Sequence, residues 1–237
     1  MQKMKYSVVL LLLLGSGVCV AGVDANKVYL PYVQQLENEF EYQLVVQNDD
    51  RARFDNRQYH KFAYGQSLND RWYIEAGLLG SASNDQEFKI DGYEVEVKLQ
   101  LTEQGEYNND WGFLFEVEKE KRDNKDVWEF RTTLIVLHEW QEWTAVANLS
   151  AAYETGSKIQ SEFETSLSTQ LKYRYRPWLE PAIEFFKSQF INAIGPSVTG
   201  RFRLGGGKNV FWNVAVLSSL DRSKPESTIR LNIEYEF

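Results

Sequence analysis

The side chains able to do chemistry are few in this sequence, and they are scattered. His60 and His138 are the two histidines. A hydroxyl nucleophile needs such a base within hydrogen-bond reach, and a group that orients it. Ser150 and Ser166 are available hydroxyls, yet neither sits in a recognisable nucleophile motif and no spacing ties them to a histidine. Catalysis on lipid by Ser and His is therefore the least favoured reading, and His138 reads as a turn or interface residue. Metal chemistry starts no better. The single cysteine, Cys19, falls in an N-terminal leader, and the clusters Asn48, Asp49, Asp50 and Glu116, Glu118, Glu120 lack the loop spacing of a calcium hand. Gly205, Gly206, Gly207 and Lys208 have Asn209 where a phosphate loop needs Ser or Thr. They read as a hairpin turn, and no metal or cofactor is expected.

What the charged residues do have is alternation. Glu94, Glu96 and Lys98 alternate with Tyr93, Val95, Val97 and Leu99, a period of two that gives a strand one apolar and one polar face. A helix would mix those faces. The pattern recurs at Phe40, Tyr42, Leu44, Val46; at Phe62, Tyr64; at Trp72, Ile74, Ala76, Leu78; at Trp111, Phe113, Phe115, Val117; and at Trp128, Phe130, Thr132, Leu134, Val136. It continues through 145–153 and 163–173, weakens over 181–187, 196–204 and 210–217, and returns at Ile229, Leu231, Ile233, Tyr235, Phe237. These segments number about twelve and mostly run about ten residues, the length a tilted strand needs to cross a bilayer. Soluble strands are commonly about five or six residues long. The pattern predicts an all-β protein, an antiparallel up-and-down transmembrane β-barrel.

The connections are expected to alternate. Compact turns at 67–71, 104–110, 138–142, 176–180 and 205–209 carry Asn, Asp, Gly or Pro. The other set, 47–57, 81–89, 119–126, 155–161, 188–193 and 218–227, is longer or more charged, as outer loops of such barrels are. Trp72, Trp111, Trp140, Trp143, Trp178 and Trp212 lie within or beside the compact turns, and only Trp128 lies beside an outer loop. Indole rings settle at membrane interfaces, where one edge is apolar and the N–H meets water. Trp72, Trp111, Trp143, Trp178 and Trp212 are therefore the expected interface belt, and both chain ends belong on the periplasmic side.

The N-terminus carries Lys3 and Lys5, an apolar run over 8–14, and small residues leading to Ala21, which is the order of a secretory signal peptide. Residues 1–21 are expected to be cleaved after Ala21, with Ala25 as the alternative, leaving 22–237 as the barrel. The apolar run is too short for a membrane-spanning helix, which needs about 18 residues. The whole chain has a formal charge of −8, from 26 basic and 34 acidic residues, and loses two of the basic ones with the leader. That balance argues against a nucleic-acid partner. The mature chain has no cysteine for a disulfide, so closure of the sheet must hold it together.

The C-terminal segment 229–237 resembles the terminal signal strand of Gram-negative outer-membrane barrels, with alternating apolar residues and a final aromatic. The resemblance implies that the barrel assembly machinery recognises Tyr235 and Phe237, and that the chain resides in the outer membrane beside lipid and lipopolysaccharide. The stretch 181–186, then Gly195 and Pro196, then 212–237 are similar to the barrel family named for the meta-pathway of phenol degradation, whose members are regarded as outer-membrane transporters. That likeness supplies no catalytic residues.

If apolar residues face lipid, the alternate positions line a lumen: Glu94, Glu96, Lys98, Glu116, Glu118 and Arg131 on the earlier strands, and Lys172, Arg174, Arg201, Arg203 and Arg230 on the later ones. Acid gathers on one wall and arginine on the other, which would set up a transverse field. The expected function is a narrow passive channel or transporter for small polar or charged solutes. The alternative is a barrel closed by paired charges, with a structural or adhesive role. Leu99→Arg is expected to disrupt insertion and Glu96→Gln to leave it intact.

Overall fold

The computed structural model describes residues 27–49, 56–122, 125–157, 159–221 and 225–237. The leader, Cys19 and both cleavage positions lie outside the described residues. Twelve strands follow one another: β1 (Asn38–Asn48), β2 (Arg57–Ser67), β3 (Trp72–Ser83), β4 (Gln86–Gln100), β5 (Asp110–Arg122), β6 (Lys125–Trp140), β7 (Trp143–Gly156), β8 (Glu162–Tyr173), β9 (Glu180–Lys187), β10 (Asn192–Gly205), β11 (Lys208–Ser219) and β12 (Ser227–Glu236). Each pairs antiparallel with its sequence neighbour, and β1 also pairs with β12, so the sheet closes into a barrel. Closure leaves no unpaired edge, which is the condition for a sheet to survive in hydrocarbon.

The side-chain period of two gives the wall its two faces. On β5, Asp110, Gly112, Leu114 and Glu116 are buried while Trp111, Phe115 and Val117 are exposed. On β1, Glu39, Glu41, Gln43 and Val45 are buried while Phe40 stands outside. Carboxylates inside and aromatics outside invert a soluble protein, and they suit a lipid surround. Trp111 lies at the rim where β1 begins and β12 ends, the terminal rim, and Trp128 pairs with Lys119 toward the other. The nine residues from Trp111 to Lys119 on one tilted strand span about 20 Å of barrel height, close to the apolar band of outer-membrane barrels.

The connections depart from expectation. The segments 81–89 and 119–126 are mostly strand: β3 and β4 run up to the two-residue turn 84–85, and β5 and β6 pair as far as Arg122 with Lys125. Alternation fades there because the hairpins project beyond the apolar band, where water solvates both faces. Backbone pairing continues without it, helped by Lys119 facing Asp126 at 3.8 Å. Conversely, one connection at the terminal rim, 101–109, is longer than every connection at the far rim. Loop length therefore does not mark the sides of this barrel. The position of the strand ends does.

The hairpin between β10 and β11 forms as the glycine run requires. Gly205, Gly206 and Gly207 have φ values of 87°, 62° and 83°, which glycine adopts at no steric cost, and Gly205 pairs with Lys208.

The interior is not uniformly charged. Leu114, Ile135, Leu137 and Val146 form one buried apolar cluster on β5–β7. Phe186, Ile191, Ala193, Ala215 and Leu217 form another around β9–β11. The charged positions expected to line the lumen are thus interrupted by two apolar patches.

Candidate functional site

The inner wall over β1–β5 gathers acid. Register sets Glu75 opposite Glu96, Glu96 opposite Glu116, and Glu94 opposite Glu118. Like charges facing each other across strands are destabilising. The buried Lys61 of β2 offsets them: its Nζ lies 2.8 Å from Glu75 and 2.6 Å from Glu94, and it also donates to Glu96. Farther up, Arg122 bridges Glu120 at 2.6 Å and Glu154 at 2.5 Å, and Arg131 bonds Glu129 at 2.7 Å. A cavity of about 50 Å³ remains between Lys61, Glu94, Glu116, Glu118 and Arg131. The carboxylate groups of Glu39, Glu41, Glu75 and of Glu75, Glu94, Glu96 lie close enough to hold a metal ion. Each set instead has a lysine ammonium bonded to one or more of its members.

Base gathers on the opposite wall, in varied states. Lys172 pairs with Glu180 at 2.8 Å, and Arg174, just past the end of β8, pairs with Glu139 at 3.1 Å. Arg230 is 1% exposed, donates to Glu184 at 2.6 Å and to Asn213, and so is part of the wall. Arg201 lies 5.7 Å from the centre of the Phe211 ring, and Lys98, on the acidic side, 4.9 Å from that of Tyr73. Neither Arg201 nor Lys98 meets a carboxylate at ion-pair distance among the described residues. Arg203 is exposed beside the β10–β11 turn. A cavity of about 660 Å³, lined by Lys98, Lys172, Arg174, Arg201, Glu234 and Glu236 among others, fills the terminal half of the lumen.

The feature that sequence reasoning missed crosses this lumen. Residues 27–33, ahead of β1, run inside the barrel. Lys27 Nζ donates to Glu41 at 2.5 Å and to Glu234 at 2.9 Å. The main chain of Tyr29 is held at two points by one side chain, its N–H donating to Asn148 Oδ1 at 2.7 Å and its carbonyl accepting from Asn148 Nδ2 at 3.0 Å. The Tyr29 hydroxyl donates to Glu96, the Tyr32 hydroxyl to Asp110 at 2.6 Å, and the Val33 N–H to Gln100 at 2.6 Å. Val28 packs against both apolar clusters. Pro31 is fully buried beside Gly112, where an added Cβ would come within 3.0 Å of it. Burial disfavours the Lys27 ammonium, but the Glu234 and Glu41 carboxylates outweigh burial and hold its pKa well above the usual lysine value. Burial, then the bond to Asp110, raises the Tyr32 phenol, which stays a neutral donor. The sequence carried one signal for this strap: Tyr29, Pro31, Tyr32 and Val33 are apolar or aromatic but, with a proline among them, unsuited to a central strand.

Trp72, Trp111, Trp143 and Trp178 are exposed on the outer surface near the terminal rim, with Trp140 beside them. Trp212 stands higher and half-buried against Gly200, and its indole nitrogen finds no partner. Tyr235 and Phe237 stack at 5.5 Å, and Phe40 stacks on Phe237 at 5.5 Å, across the β1–β12 seam. His60 contacts Tyr42 and Phe88 on the outer face, while His138 accepts or donates at Asn108 and Asn109 and lies against Trp140. Ser150 and Ser166 face one another across β7 and β8 on the inner face, where Ser150 shares a hydrogen bond with Thr133. The sheet itself separates these hydroxyls from the imidazoles.

No family model and no curated protein matches the chain, so the likeness of 181–237 to the phenol-degradation family rests on those residues alone. Solved structures do match. A KdgM porin in complex with disordered oligogalacturonate aligns with a TM-score of 0.55 at 8% identity, over 84% of this chain and 99% of that one. The translocator domain of the autotransporter NalP from Neisseria meningitidis aligns at 0.51 and 10%, over 91% and 90%. The COG4313 outer membrane channel from Pseudomonas putida F1 aligns at 0.51 and 13%, over 90% and 97%. At such identities the likeness is one of fold, and the fold is that of the outer-membrane β-barrels.

Proposed function

We propose that this chain is an outer-membrane channel through which small polar or charged solutes cross passively. The observation that carries the reading is the closed barrel with apolar residues outside and, inside, a cavity of about 660 Å³ lined mainly by charged and polar residues. Several barrels of this fold are named as porins or channels, and one was captured with a polyanionic sugar chain. The separation of histidines from serines across the wall favours transport over catalysis. In this reading the leader 1–21 directs export, the barrel assembly machinery takes the strand ending at Tyr235 and Phe237, and the outer surface meets lipid and lipopolysaccharide. Glu94, Glu96, Lys98, Glu116, Glu118, Arg131, Lys172, Arg174, Arg201, Arg203 and Arg230 form the lumen lining, with Arg230 bracing the wall.

A second reading, a closed barrel with an envelope role, has the strap across the lumen in its favour. Planar-bilayer recording of the purified protein separates the two. Stepwise conductance supports the channel. A silent bilayer from folded, heat-modifiable protein supports the closed barrel.

A further inference from the structure

We propose that residues 27–33 are a displaceable closure of the lumen, tethered at Lys27 and Asn148, whose departure opens the path between the terminal cavity and the far half of the barrel. The inference rests on the channel reading and adds its gate. Lys27, Val28, Tyr29, Leu30 and Tyr32 form part of the wall of the 660 Å³ cavity, and Lys27 and Tyr29 also border a cavity of about 30 Å³ on the other side. The strap therefore stands between two spaces that the barrel alone would leave continuous.

The way it is held distinguishes it from the wall. Among the described residues, no backbone–backbone hydrogen bond joins 27–33 to a strand. Every polar tether runs through a side chain: Lys27 to Glu41 and Glu234, Asn148 to both main-chain groups of Tyr29, and Gln100, Asp110 and Glu96 to the rest. A strand in a closed ladder cannot leave without breaking the sheet. A strap held by side chains can leave while every strand stays paired. Its apolar contacts are all with the inner face and none with lipid: Val28 touches both interior clusters, Tyr29 and Tyr32 pack against the β5–β7 one, Pro31 and Val33 are buried, and Leu30 is 38% exposed. Water in the lumen can solvate the groups given up on release, so departure uncovers no polar atom to hydrocarbon.

The test uses the full chain carrying Cys19→Ala, so that Val28→Cys is its only thiol, in protein extracted from membranes. Labelling by a bulky, water-soluble maleimide is compared between this background and one that adds Lys27→Ala and Asn148→Ala. Losing these charge-assisted and two-point contacts should speed labelling about tenfold or more and raise the single-channel conductance. Lys27→Arg, which keeps both carboxylate partners, should label as slowly as the parent. Equal labelling in the two backgrounds overturns the proposal, and so does faster labelling with conductance steps of the same size. If labelling accelerates while every form is silent in bilayers, displacement stands and it is the channel reading that falls. Heat-modifiable migration on gels confirms that each variant is folded.

Discussion

Lys61 is the side chain on which the acidic wall depends. Its ammonium touches Glu75, Glu94 and Glu96, and it is 7% exposed. Removing one partner of a buried charge cluster leaves the others uncompensated, a cost of about 3–5 kcal/mol. Lys61→Met should therefore lower the urea midpoint of the folded barrel substantially. Glu96→Gln should change it little, because an amide still accepts from Lys61 and from Tyr29. If the two variants unfold at the same urea concentration, the ammonium is not what holds the carboxylates together. At Lys27 the sign of the pH dependence follows from its raised pKa. The lysine's contribution to the tether is fully present below the ordinary lysine value and is lost only as the pH climbs through the higher folded one, while at the acid end protonation of Glu41 and Glu234 weakens the same contacts. Labelling of Val28→Cys should thus not respond to Lys27 titration at neutral pH.

On single strands, register decides which positions test the lipid face. Leu99 suits such a test by its alternation, but β4 ends at Gln100 and Leu99 pairs with Trp72 at the terminal rim. An arginine near the interface costs only about 0–1 kcal/mol, against about 2–4 kcal/mol at the midplane. Phe115 is the better probe. It lies between Trp111 and Lys119 on β5, opposite Val97 and Thr132, and points outward. Phe115→Arg should strongly reduce the folded fraction in lipid vesicles and Leu99→Arg should reduce it much less. Equal loss would place the midplane at the wrong height. The β10–β11 turn is a second local test. Gly206→Val forces a β-branched side chain to a φ of 62°, so folding should slow or fail in the same vesicle assay, while Gly206→Asn should be tolerated.

Across the whole molecule, acid and base are divided between β1–β5 and β8–β12, but much of that charge is paired within the wall. The field that permeating ions feel should come mainly from the groups left over, the cations Arg201, Lys98 and the exposed Arg203 together with the carboxylates Glu37, Glu39 and Glu236 of the terminal cavity. Arg201→Ala with Arg203→Ala should shift the reversal potential under a salt gradient toward cation preference, with the barrel fold unchanged. Arg230→Ala should instead destabilise the barrel, because Glu184, 0% exposed, loses its cationic partner and keeps only the amide of Gln170. A double variant with unaltered selectivity would remove Arg201 and Arg203 from the conduction path.

Twelve strands, their faces and their order were legible in the sequence, because a closed antiparallel barrel in lipid makes every inward and outward choice along the chain, residue by residue. Phe40 against Glu41, or Val95 against Glu96, can be sorted by alternation alone. Loop boundaries were not legible, since the β3–β4 and β5–β6 hairpins keep pairing in water where alternation has no work to do. Nor was the pairing of Lys61 with three glutamates on β3 and β4, which follows from the stagger of strands and not from spacing within any one of them. The strap lay furthest from view. Tyr29 meets Asn148, and Lys27 meets Glu234, across more than a hundred residues of chain. Alternation determines what each strand shows to lipid and to lumen. Only closure of the barrel decides what stands opposite, and whether the space between is filled.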